Sequence, residues 1–332
     1  MNKYFFFLRF LLIVATGTIF FGCREKEKQA EKPIAKSTIT PAIALWTAPD
    51  SSLIPDSKEG EMIRYGKALI ANTSFYFGPH GKISHEANGL NCQNCHLDAG
   101  TKPWGNNYGG VFSTYPKFRE RRGAMETVIQ RVNDCFQRSL NGKAPDSSSY
   151  EMQSILAYMK WVGSNVDKGK KPAGSGLQQP ALLNRAADPQ RGKLVYESTC
   201  MRCHGKDGQG TLKPDSMYYL YPPLWGPHSY NTGAGLYRLS RFAGYVRDNM
   251  PFGTSYKVPL LKDEDAWDVA AFVNSQPRPG KTFKNDWPDI SLKPFDHPFG
   301  PYKDSFSEQQ HKYGPFILIL QVKSKIPGKK TG

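Results

Sequence analysis

Cys92-Gln-Asn-Cys95-His96 and Cys200-Met-Arg-Cys203-His204 are two copies of one five-residue string in a chain of 332 residues. A bare Cys-x-x-Cys could be a redox dithiol or half of a zinc site. A histidine directly after the second cysteine is what haem attachment requires. Two thioethers hold the porphyrin edge while the adjacent imidazole reaches the iron as an axial ligand. The strings therefore predict two covalently bound haem c groups, one on Cys92, Cys95 and His96, the other on Cys200, Cys203 and His204. Of the six cysteines, only Cys23 and Cys135 lie outside these strings.

The flanks repeat as well. RYGKALI (Arg64 to Ile70) and QRGKLVY (Gln190 to Tyr196) share a Gly-Lys pair, read as a helix start ahead of each string, with an insertion in the first copy. Each copy closes on a helix. Met152, Ile155, Leu156 and Met159 recur at helical spacing behind a Ser148/Glu151 capping box. In the second copy Asp263 to Asp265 precede AWDVAAFV, and acidic residues suit a helix N-terminus. Helix, haem string, loop, helix is the order of the class I cytochrome c fold, so a mainly α protein with two such domains in tandem is expected, at residues 59–163 and 189–278. Residues 164–188, rich in Gly, Pro and Lys, read as a surface linker. Residues 279–332, rich in Pro and aromatics, read as an extended C-terminal arm packed across the domains. Its tail, FILILQVKSKIPGKK, reads as a docked strand or a membrane-surface contact.

The first 22 residues set Lys3 and Arg9 before the apolar run LLIVATGTIFFG, the plan of a secretory signal and too short for a comfortable membrane span. Export to the periplasm follows. Gly22-Cys23 resembles the processing site of a bacterial lipoprotein, although Phe20 stands where Leu is usual. A lipid anchor at Cys23 and a charged tether over residues 23–58 are expected, the alternative being a soluble protein cleaved nearby. The 39% hydrophobic content is that of a globular protein, and formal net charge is +15. Haem propionates lower that balance without reversing it. A basic chain suggests nucleic acid, but export removes that partner and leaves small anions, acidic redox proteins or anionic lipid, or a solvated basic surface with no partner.

In this fold the second axial ligand comes from the segment between the haem string and the last helix, commonly a methionine. Met250 in GYVRDNMPFG fits that role. The first domain offers Cys135 instead: Val132-Asn-Asp-Cys135 echoes Val246-Arg-Asp-Asn-Met250, and the two stand at similar distances before Tyr158 and Phe272. Cys135 also continues a helical face of Met125, Val128, Ile129 and Val132, so a buried, inert cysteine is the competing reading. His80 and His85 supply a bis-histidine alternative. A thiolate would stabilise ferric iron and keep a nucleophilic sulfur. YPKFRERRG, just upstream, carries Lys117, Arg119, Arg121 and Arg122, and arginine forks grip oxyanions. Arg119, Arg121 and Arg122 thus join Cys135 as candidate catalytic residues, against the plain alternative of a solvated basic turn.

Five stretches resemble the dihaem thiosulfate dehydrogenases that form tetrathionate: NCQNCHLDAGTKPW (Asn91 to Trp104), YPKFRERRG (Tyr115 to Gly123), RVNDCFQRSLNGK (Arg131 to Lys143), AGYVRDNMPFG (Ala243 to Gly253) and PDISLKPFDHPFGPY (Pro288 to Tyr302). The resemblance implies that two thiosulfates give one tetrathionate and two electrons, passed to an external acceptor such as another cytochrome. It implies His96 and Cys135 on a catalytic haem and His204 and Met250 on a transfer haem. Some members of that family place a lysine as a competing ligand at the second haem; here Asn249 precedes Met250 and the nearby base is Arg247, which cannot deprotonate to ligate iron. Two one-electron centres in one chain suit the same chemistry, since both electrons of a sulfur–sulfur bond formation can be taken up. Two other readings remain open: a SoxA-type haem subunit of a thiosulfate-oxidising complex, and a non-catalytic dihaem electron shuttle. The reverse reaction, tetrathionate reduction, is open too.

Overall fold

Ser57 accepts a hydrogen bond from the Gly60 N–H at 3.2 Å and opens helix α1 (Lys58–Ala71), with Glu59 and Glu61 at its positive end. The computed structural model describes residues 44–325 apart from residue 215. The expected signal at 1–22 and the lipid site at Cys23 lie outside the described residues. After α1 come the hairpin strands β1 (Lys117–Arg119) and β2 (Ala124–Glu126), then α2 (Val128–Arg138) and α3 (Tyr150–Val162). Thr127 and Gln130 cap the start of α2 reciprocally. Met125 does not belong to the α2 face: it pairs with Phe118 in the hairpin and is 57% exposed. The cap of α3 is Ser149, whose Oγ accepts from the Met152 N–H at 3.2 Å, because Asp146 engages Ser148 instead.

The second domain runs α4 (Pro189–Val195), the short hairpin β3 (Thr211–Leu212) and β4 (Tyr219–Tyr221), α5 (Leu239–Asn249) and α6 (Asp263–Ser275). In each domain the first and last helices form the main packing pair, α1 on α3 and α4 on α6. The repeated glycine marks both crossings. A Cβ at Gly66 would overlap the Ser154 carbonyl oxygen and stand 2.9 Å from the Tyr158 Cβ. A Cβ at Gly192 would overlap the Asp268 carbonyl oxygen and stand 2.9 Å from the Phe272 Cβ. The Gly-Lys pair is therefore not a helix start; in α1 it lies well inside the helix, and its glycine lets two backbones touch.

Two connecting segments are more ordered than their composition suggested. The expected tether is already folded at its C-terminal end: Trp46 is 8% exposed and its Nε1 donates to Asn165 Oδ1 at 2.8 Å, while Ile54 is buried too. The charged stretch 24–36 dominates the average composition and hides these apolar anchors. The linker is a strap. The Gly174 and Gly176 carbonyls accept from the Trp104 and Asn106 N–H groups at 2.8 and 2.9 Å, and the Ala181 carbonyl accepts from Trp267 Nε1 at 2.8 Å, so it is bonded to both domains.

The arm crosses from one domain to the other. The Arg138 guanidinium grips Asp286 with two 2.7 Å bonds and lies 3.6 Å from the Phe283 ring centroid, and the Trp287 N–H donates to the Arg121 carbonyl at 2.7 Å. Further on, helices α7 (Glu308–Tyr313) and α8 (Ile317–Lys325) pack on the second domain. The tail over α8 is thus a helix rather than a strand. Phe316 and Ile319, three apart, both join the core that holds Trp267, and helical spacing places such residues on one side.

Candidate active site and haem pockets

The first string hangs from the end of α1. The Cys92 N–H donates to Thr73 Oγ1 at 3.0 Å, and Gln93 Nε2 donates to the Ala71 carbonyl at 2.6 Å. His96 Nδ1 donates to the Asn106 carbonyl at 2.6 Å, which leaves Nε2 free to coordinate a metal. Its ring stacks on Tyr108 at 4.7 Å. Gly100, at φ 84°, makes room for that tyrosine, since a Cβ there would strike the Tyr108 ring. Asp98, Ala99, Trp104 and Asn106 also hold positive φ, so the loop after His96 stores strain that its surroundings must hold in place.

Cys92, Cys95 and His96 open into a cavity whose walls include Ile70, Leu90, Phe136 and Ile155, and which Lys117, Arg131 and Cys135 also line. Burial pushes the Cys92 and Cys95 thiols up to about 12 and pulls His96 down to about 4, so the imidazole is neutral at physiological pH. Two thiols, a neutral imidazole with a free nitrogen and apolar walls fit a covalently attached haem. Cys135 is half-buried and faces this cavity, which disfavours the inert-cysteine reading. His80 and His85 are exposed and are not among its lining residues, so the structure does not bring the bis-histidine pair to it.

The basic residues sort into layers. Lys117 and Arg131 line the cavity itself. Arg131 sits one turn before Cys135 on α2; the sulfur's negative form beside it holds the guanidinium above the usual arginine range, against burial. Arg119 turns to Glu126 at 3.4 Å, and the Tyr115 hydroxyl donates to the same carboxylate at 3.3 Å. Arg121 lies 6.0 Å from the Trp287 ring centroid, and burial, with the charges of Arg138 and Arg131 added, pulls it down to about 10. Arg122 is exposed on the hairpin turn. Of the three arginines expected in the site, none lines the cavity; Arg131, not singled out from the sequence, does. The i, i+4 spacing from Cys135 was the signal that could have found it.

In the second domain His204 Nδ1 donates to the Pro222 carbonyl at 2.8 Å, again leaving Nε2 free, and burial lowers its pKa. Thr211 Oγ1 donates to the Cys203 carbonyl at 2.7 Å, tying the string to β3. Met250 packs against the core that Cys200 and Val195 also touch. The repeat places Cys135 and Met250 differently: Cys135 lies within α2, whereas Met250 is the residue that ends α5.

Residues 82–166 match a family model described as SoxA/TsdA, cytochrome c domain, and residues 189–277 match one described as cytochrome c. The class is a mainly α dihaem cytochrome c with two covalently bound haem c groups. The thiosulfate dehydrogenase of Allochromatium vinosum is 40% identical over 251 residues, covering 74% of this chain and 88% of the relative. Those of Stutzerimonas stutzeri and Psychrobacter arcticus are 31% and 35% identical, covering 81% and 73% of this chain and 84% and 71% of theirs. Among solved structures, the thiosulfate dehydrogenase TsdBA of Marichromatium purpuratum superposes with a TM-score of 0.65 at 29% identity, over 72% of this chain and 50% of that longer one. The chain belongs to the thiosulfate dehydrogenase family and is an oxidoreductase of that family.

Proposed function

We propose that this enzyme joins two thiosulfates into tetrathionate and delivers two electrons to an external acceptor, working in the periplasm from a lipid anchor at Cys23. The observation that carries the chemistry is the presence of Cys135, Arg131 and Lys117 in the cavity that also holds Cys92, Cys95 and His96. His96 and Cys135 would hold the iron of the catalytic haem, and His204 and Met250 that of the transfer haem. When bound, the haems supply two one-electron acceptors for a two-electron oxidation. Arg131 and Lys117 hold the dianion beside the thiolate, Arg121 adds positive potential behind them, and Arg119 is paired with Glu126. The Cys135 sulfur bonds to the outer sulfur of one thiosulfate as two electrons leave, giving Cys135-Sγ–S–SO₃⁻. A second thiosulfate attacks that outer sulfur, the Sγ–S bond breaks, and its electron pair returns to Cys135 as thiolate while tetrathionate departs.

The test is a thiosulfate-dependent ferricyanide assay on purified protein, with tetrathionate quantified and both haem spectra recorded. Wild type should turn over alone, whereas a SoxA-type subunit needs its partner and a plain shuttle does nothing. Cys135→Ala should lose turnover while keeping both haems attached. Retained turnover in that variant removes the covalent role.

A further inference from the structure

The two haem strings are far apart in sequence, yet the second domain reaches directly into the loop around His96. The Tyr245 hydroxyl donates to the Asn94 carbonyl, one residue before Cys95. Asn249 Nδ2 donates to the Trp104 carbonyl at 3.1 Å and to the Tyr245 carbonyl at 3.2 Å. Two bonds from one nitrogen to two carbonyls fix the amide's orientation, since a flipped amide would set oxygen against oxygen. Asn249 is 2% exposed and its Oδ1 is buried without a partner, so this amide is kept for its donor side. On the other side of Met250, the Thr254 carbonyl accepts from Lys102 Nζ at 3.4 Å. Asn94, Lys102 and Trp104 all belong to the stretch that carries His96 and its strained loop.

We propose that Asn249 and Tyr245 are positioning residues that lock the Met250 segment onto the His96 loop, so that the ligand set of one haem is held in place by the proximal loop of the other. This rests on His96 and Met250 being axial ligands. The connection is continuous: His96 Nδ1 to the Asn106 carbonyl, back along the chain to the Trp104 carbonyl, across to the Asn249 amide, and on to Met250 by one peptide bond. Such a chain of covalent and hydrogen bonds gives electrons a bonded route between the sites. It also makes any release of Met250 work against the His96 loop.

Asn249→Leu, which keeps the branched shape but cannot donate, and Tyr245→Phe test this on the full-length dihaem protein. Two measurements read it: the charge-transfer absorption of methionine-ligated ferric haem, and the rate of electron equilibration between the haems after photoreduction. Each variant removes one hydrogen bond between the Met250 segment and the His96 loop, which should move the ratio of Met250-held to Met250-released protein by about fivefold. Equilibration should slow, while the thiolate signal of the first haem and the KM for thiosulfate stay as in wild type. Unchanged absorption and unchanged equilibration in both variants overturn the proposal; if Asn249→Leu does not fold, Tyr245→Phe alone decides by the same readings. A wild type lacking the methionine band refutes Met250 as a ligand, and the proposal falls with it.

Discussion

Arg131→Gln removes a positive charge one helical turn from Cys135 while keeping a polar side chain in the cavity wall. Arg131 forms no ion pair within 4.0 Å among the described residues, although Glu126 and Asp134 add to the field around it. A hydrogen bond to a charged group contributes about 1.5–3 kcal/mol, and about 1.4 kcal/mol is a factor of ten. Lys117 lines the same cavity and remains in the variant, so the lower part of that range applies. A loss of roughly 10- to 30-fold in kcat/KM for thiosulfate is expected. The loss should lie mostly in KM if the charge holds substrate and transition state alike. Arg122, exposed on the hairpin turn, supplies the contrast: Arg122→Gln should change kcat/KM by less than about fivefold, and that change should fade as salt rises. Steady-state kinetics at low and high ionic strength, with haem spectra confirming intact pockets, make the comparison. Equal effects from the two variants, or an Arg131→Gln effect abolished by salt, would refute the assignment of Arg131 to the cavity wall as the substrate's main grip.

Two further outcomes concern the frame. Gly66→Ala gains about 1 kcal/mol of helix propensity but drives a methyl into the Ser154 carbonyl, where overpacking costs about 1–3 kcal/mol or more; a net loss in chemical denaturation is expected, with Gly192→Ala behaving alike and Gly280→Ala, which has open space around it, unchanged. Burial would raise the Asp296 pKa, but Arg238 and Ser240 outweigh it and hold the carboxyl below its ordinary value of 3.8. A depressed folded pKa means stability that is present above the unfolded value and lost as pH falls through the folded one. Thermal melting should therefore hold steady from about pH 7 to 5 and drop below about pH 4. Asp296→Asn should be less stable at neutral pH with a shallower acid limb, and an identical acid limb would exclude Asp296 as its source.

The haem strings were legible because attachment is local chemistry written in five adjacent residues. Cys135 was legible because the second domain supplied a register to compare it with. The same comparison hid a difference that only helix boundaries reveal, with Cys135 inside α2 and Met250 just past α5. Arg131 is masked in the sequence by the dense basic run of YPKFRERRG, whereas a hairpin turns much of that run away from the cavity and a single arginine on a helix face points in. Composition misjudged the connecting segments for a related reason. A few anchors such as Trp46 and the Gly174 carbonyl decide whether a Pro- and Lys-rich segment is docked, and averages do not register single anchors.

The grip of Arg138 on Asp286 spans 148 residues of sequence and joins the helix that carries Cys135 to the C-terminal arm. Arg138 follows Cys135 by three residues on α2, so the clasp at residues 283–287 bears on the same short helix as the sulfur. A cut in the arm before residue 283 would therefore loosen α2 from a distance, without touching any residue of the cavity wall.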